Sequence, residues 1–111
     1  MDTETNTPYS EGSNKAGGIR PKQAFFNLGQ IVATRGALGL LDRTGTNATV
    51  LLARHQSGDF GDLDESDIRE NMQAISLGNR VLSSYRIGNA KIWIITEADR
   101  SVTTLLLPSE Y

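Results

Sequence analysis

"RVLSSYRIGNAKIWIIT", residues 80–96, decides the fold. On either side of Gly88-Asn89 the apolar residues fall at alternate positions, the period of a half-buried strand. A Gly-Asn pair between two such runs is a two-residue hairpin signal that favours a type II′ turn. Tight closure sets Ile87 opposite Ala90, Tyr85 opposite Ile92, Ser83 opposite Ile94 and Val81 opposite Thr96. One face is then Val81, Tyr85, Ile87, Ile92 and Ile94, a core face. The other holds Ser84, Arg86, Lys91, Trp93, Ile95 and Glu97, a mixed surface around the only tryptophan. After a turn at Ala98-Asp99-Arg100-Ser101, "VTTLLLP" supplies a third strand, which Pro108 terminates. The result is a three-stranded antiparallel meander.

Working back from the hairpin, "LDESDIRENMQAISLG" (63–78) repeats with a period near 3.6 and reads as a helix. Asp64 caps its first turn, Leu63 and Ile68 form a hydrophobic staple, and Gly78 ends it. Its acids Glu65 and Asp67 suit the positive end of the helix dipole. Ile68, Met72 and Ile75 form the expected buried stripe, with Arg69, Glu70 and Gln73 facing water. Upstream, Ala37, Leu38, Leu40 and Leu41 fit a short helix stopped by Gly45. A second one, capped by Thr46 or Asn47, runs through Val50, Leu51 and Leu52 towards His55. "AFFNLGQIVATRG" (24–36) alternates and suggests a first strand. Residues 1–22 are rich in Thr, Ser, Asn, Gly and Glu and have no apolar period, which predicts a disordered tail before a single domain at 23–111. The fold class is therefore α+β: an N-terminal strand, three short helices and a meander, with the helices on one sheet face.

Composition narrows the function. In 111 residues the net charge is −2 and the pI about 5.3, which disfavours a dedicated nucleic-acid binder. There is no cysteine and one histidine, so no disulfide framework, thiolate nucleophile, Cys-based zinc site or multi-His centre is available. No apolar run reaches the roughly 18 residues of a membrane span, and the N-terminus lacks signal-peptide features, so a cytoplasmic location is expected.

"IVATRGAL" (31–38), "LLARHQSGDFGDLDESDIREN" (51–71), "VLSSY" (81–85) and "KIWIITEADRSVTTLLLPSEY" (91–111) resemble a family of short, uncharacterised bacterial proteins. These occur on plasmids and integrated mobile elements and are often labelled plasmid-related protein or type I restriction endonuclease subunit M. The resemblance covers residues 28–111. Arg35 stands where the family usually has proline, and Phe60 where it has tryptophan. The resemblance implies a mobile-element setting. The methyltransferase label conflicts with the chemistry: an adenine methyltransferase needs an adenosylmethionine-binding, mostly parallel sheet and a loop for the flipped base.

Three constellations could carry chemistry. His55, followed by a meander rich in Thr, Ser, Arg and Tyr, resembles the layout of barnase- and RelE-like ribonucleases. In that chemistry His55 acts as base or acid, Arg86 or Arg100 clamps the phosphate, and Thr96 or Tyr85 orients groups. The plain alternative is that His55 finishes a helix and bonds a nearby carbonyl. The acids Asp59, Asp62, Asp64, Glu65 and Asp67 lack EF-hand spacing and read as turns and caps, so no metal or cofactor is expected. "TEADRS" (96–101) reads as a turn in which Glu97, Asp99 and Arg100 pair with one another and Asp99 forms an Asx turn. Beside it, Trp93, Arg86, Ser84, Glu97 and Thr104 converge on one sheet face, and an aromatic next to arginine is common at binding surfaces. With Asp59 and Phe60 from the His55–Asp62 loop, these residues make up the candidate surface for an unidentified protein partner. The leading expectation is a small non-enzymatic interaction module; the alternative is a toxin-like ribonuclease using His55.

Overall fold

The computed structural model describes residues 23–111, so the expected N-terminal tail lies outside the described residues. The chain runs β1 (Gln30–Ala33), α1 (Arg35–Thr44), α2 (Ala48–Gln56), α3 (Glu65–Leu77), β2 (Val81–Ile87), β3 (Ala90–Thr96) and β4 (Val102–Leu106), closing in a 3₁₀ turn at Pro108–Glu110. The meander is present with the expected register: Ile87, Tyr85, Ser83 and Val81 oppose Ala90, Ile92, Ile94 and Thr96. Gly88 has φ +62 and Asn89 keeps a negative φ, as a type II′ turn requires. The meander is extended by β1, which joins β4 in parallel and completes a four-stranded mixed sheet of order β1-β4-β3-β2.

Local signals place the helices. Thr34 caps α1 by accepting from the Ala37 N–H at 3.1 Å, and Gly45 closes the helix in the left-handed region. Asn47 caps α2 through the Thr49 N–H, and Asp64 caps α3 through the Asp67 N–H, each at 2.9 Å. Ala37, Leu40 and Leu41 of α1 and Leu51 of α2 pack on Tyr85, Ile92, Ile94 and Leu105 of the sheet. Beside this core, a second cluster gathers Phe26, Phe60, Ala74 and Val81, with Leu63, Ile68 and Ile75 at its edge.

α3 departs from the expected stripe. Met72 is 44% exposed, while Asn71 and Ala74 are buried. The reason is the outer edge of β2, whose unpaired backbone groups need partners. The Asn71 amide meets both groups of Leu82, donating to its carbonyl at 2.7 Å and accepting from its N–H at 3.1 Å. Turning Asn71 towards that edge turns Met72 outward. Two residues along, the Ser84 N–H donates to the Phe60 carbonyl and the Asp62 N–H to the Ser84 carbonyl. That approach requires glycine at 61, where φ is +78 and a Cβ would lie 2.2 Å from the Ser84 oxygen.

Candidate functional site

His55 sits four residues after Leu51, on the buried side of α2. The period of the helix therefore carries its imidazole into the core against the polar residues of the sheet. Its Nδ1 lies 2.6 Å from Ser83 Oγ and its Nε2 2.9 Å from Thr96 Oγ1. Thr96 Oγ1 lies 2.7 Å from Thr103 Oγ1, and the Thr103 hydroxyl donates to the Leu28 carbonyl at 2.7 Å. Register brings these groups together: Thr96 pairs with Thr103 across β3 and β4 and with Val81 across β2 and β3, two places from Ser83. A polar thread thus crosses the sheet from β2 to the segment before β1.

The carbonyl at the end of the thread fixes every proton in it. Leu28 can only accept, so Thr103 donates to it and accepts from the Thr96 hydroxyl. Thr96 then has a lone pair, and no proton, for His55 Nε2. The imidazole is therefore the Nε2–H tautomer, and its Nδ1 accepts from the Ser83 hydroxyl. Phe26 meets the ring edge-on, with centroids 5.2 Å apart, and the Arg100 guanidinium lies over the Phe26 ring, 5.4 Å from its centroid. Burial first, and the Arg100 charge second, push the His55 pKa down to about 3. The histidine is neutral at physiological pH.

The Ser83–His55 contact has the length of a nucleophile–base pair, but both residues are 0% exposed. The far nitrogen rests on a hydroxyl, with no carboxylate to stabilise an imidazolium. Neither side chain reaches the surface. Nor does the structure bring the expected ribonuclease set together. Thr96 touches His55, but Arg86 projects from the opposite face of β2, where its partner is Asp62. Arg100 is turned to carbonyls, donating to Asn79 at 2.6 Å, Glu97 at 3.0 Å and Ala74 at 3.2 Å. These bonds tie the end of α3 to the β3–β4 turn and offset the strain of its positive φ of 61°. Tyr85 donates to the Asp59 carbonyl at 2.7 Å, under the Arg54 guanidinium, and burial raises its pKa. The carbonyl expected as the partner of His55 is replaced by two hydroxyls.

Among the described residues no α-helix packs on the other sheet face. Ser84, Trp93 and Leu106 form one row across β2, β3 and β4, and Ile95 and Thr104 pair in the next. Ser84 and Ile95 are buried there, and Trp93 and Thr104 are half-buried. Arg86 and Lys91 share one oxygen of Asp62, at 3.5 and 3.0 Å, and the Lys91 hydrogen bond leads in lowering the Asp62 pKa. Arg80 Nε pairs with Glu97 at 3.3 Å, and its Nη1 donates to the Tyr111 hydroxyl at 3.0 Å. The Tyr111 ring stands edge-on to Trp93 with centroids 5.6 Å apart.

Of the expected binding residues, Trp93, Arg86, Ser84, Glu97 and Thr104 share this face. Asp59 and Phe60 do not. Asp59 is held by Arg54 at 2.7 Å, and Phe60, 2% exposed, belongs to the second core cluster. In "TEADRS", Asp99 forms the expected Asx turn, accepting from the Ser101 N–H and hydroxyl. The expected pairing among its charges gives way to longer connections: Glu97 reaches Arg80, and Arg100 reaches the end of α3. Among the described residues no group of three or more His, Asp or Glu side chains is placed to hold a metal ion. Sequence reasoning missed Ser83, Thr103, Arg80 and Tyr111. For Ser83 and Thr103 the signal existed, since strand alternation puts both on the core face. For Arg80 and Tyr111 no local pattern joins positions 31 apart. Comparison with family models, curated proteins and solved structures gives no match to this chain.

Proposed function

We propose that this chain is a non-enzymatic interaction module whose partner, another protein, docks on the sheet face around Trp93, opposite α1 and α2. The resemblance to plasmid and mobile-element proteins adds the setting: a cytoplasmic accessory protein of a bacterial mobile element. The observation that carries the reading is the charge arrangement beside the half-buried tryptophan. Arg86 and Lys91 converge on the single carboxylate of Asp62, so among the described residues two cations there share one anion. A partner that places a carboxylate there completes the pairing, while apolar contact with Trp93 supplies the anchor. The enclosed state of the histidine thread supports the absence of catalysis.

The test is affinity capture from the native cell with the intact chain and with an Arg86→Ala/Lys91→Ala double variant. Both side chains are solvated, so the unfolding temperature should stay nearly the same while a specific protein is lost from the captured set. An identical captured set with both chains overturns the reading.

A further inference from the structure

The segment Pro108–Tyr111 lies across the edge of the proposed docking face, and its attachments are unlike those of the rest of the fold. Leu107 is packed against the main core, whereas each of the next four residues is exposed, Tyr111 by 72%. This short turn is held by two polar anchors. At one, the Glu110 carboxylate accepts from the Thr34 hydroxyl, from the Gly36 N–H at 3.0 Å and from the Leu107 N–H at 2.8 Å. It thereby occupies the first turn of α1, where backbone N–H groups point outward. At the other, Tyr111 lies on Trp93 with its hydroxyl bound by Arg80. Position 36 is glycine where the carboxylate sits closest: a Cβ there would lie 2.5 Å from Glu110 Oε2 and 2.7 Å from a Leu107 methyl.

We infer that residues 108–111 form a releasable strap, hinged at Leu107, whose Tyr111 covers Trp93 and whose latch is the Glu110 carboxylate on the start of α1. The inference rests on the proposed use of the Trp93 face and adds its regulation: the chain's own tyrosine occupies the position that a partner's apolar group would take. Among the described residues, exposed hydrogen bonds and one aromatic edge contact hold the strap, with no buried apolar anchor beyond Leu107. Its opening therefore belongs to the low-energy end of local unfolding, separate from the core. Arg80 stays paired with Glu97 when the strap leaves, so opening strands no charge.

Trp93 is the only tryptophan in the chain, so its fluorescence reports the strap directly. Two variants of the full chain open the latch from opposite sides. Glu110→Gln weakens the ionic acceptor, and Gly36→Ala displaces the carboxylate while favouring the helix. Both should shift Trp93 emission to the red and make it easier to quench with acrylamide. Glu110→Gln should also speed exchange of the Gly36 and Leu107 amides about fivefold. The unfolding temperature of Glu110→Gln should stay nearly the same, because Glu110 is exposed and the change adds no atom beside Leu107, which separates release of the strap from loss of the fold. If Trp93 emission, its quenching and the two amides are unchanged in both variants, the strap is a fixed part of the fold and the inference fails. This readout needs no partner. Strap opening without any capture by the Trp93 face would count against the docking reading alone, and a fixed strap with normal capture would count against the strap alone.

Discussion

The two faces of the sheet use similar side chains to opposite ends. On the helix side, a histidine and three hydroxyls are fully enclosed, and each donor has an acceptor in a chain that ends on a backbone carbonyl. On the open side, three cations, two carboxylates and two aromatic rings meet at the surface, where water competes for every contact. The enclosed set is costly to disturb, because a buried polar group that loses its partner keeps the full cost of desolvation. The open set contributes less to folding, because ion pairs and rings that stay partly in water gain little from meeting one another. Residue type alone therefore does not mark a functional site. His55, the one histidine of the chain, is fully enclosed.

The comparison is broken most severely by emptying the buried side. His55→Ala leaves a cavity and strips Ser83 and Thr96 of their partner, so a loss of about 3–5 kcal/mol is expected in urea unfolding. A loss below about 1 kcal/mol would show that water already reaches the thread. Acid should produce the next largest effect. The folded His55 binds a proton only near pH 3, whereas the unfolded chain binds one near 6.5. Between these values the unfolded state holds more protons, so this contribution is complete above pH 6.5 and is lost as the pH falls through the window. The slope is about 1.4 kcal/mol per pH unit. Asp59, lowered from 3.8 chiefly by its Arg54 hydrogen bond, loses its contribution only at lower pH, so the range from 6.5 to 5 reports the histidine. Urea midpoints that stay flat across that range would mean that the imidazole is solvated in the folded protein. On the open side, Trp93→Ala removes a half-buried ring and its contact with Tyr111, for an expected loss of about 1–2 kcal/mol. If this variant unfolds as readily as His55→Ala, the open face is a second core and the contrast between the faces disappears.

Much of the architecture was legible from local chemistry. The Gly88-Asn89 turn set the register of β2 on β3, because a two-residue loop permits only one pairing. Asn47 and Asp64 each cap through their own side chain, and Gly45 and Gly78 end helices in the left-handed region, whereas Thr34, which alternation assigned to the first strand, caps α1 instead. Where reasoning from the sequence departed from the structure, a distant partner was responsible. Asn71 displaced Met72 from the buried stripe because the edge of β2, eleven residues away, had backbone groups to satisfy. Phe60 left the candidate surface because its segment bridges Ser84 and its ring fills the cluster with Val81. The candidate surface itself was half legible: alternation placed Trp93, Arg86, Ser84 and Glu97 together, but nothing in the sequence linked them to Tyr111.

By itself the sequence determined what depends on neighbours a few residues apart: strand period, helix caps, the hairpin and the side of the sheet on which each meander residue lies. Tertiary structure alone decided that β1 lies parallel to β4, that His55 binds the hydroxyls of Ser83 and Thr96, and that Glu110 returns to the start of α1. The physical reason is range. Backbone dihedrals and side-chain periodicity act over one or two turns of chain, whereas pairing a buried donor with its acceptor depends on which distant segments the apolar collapse brings together.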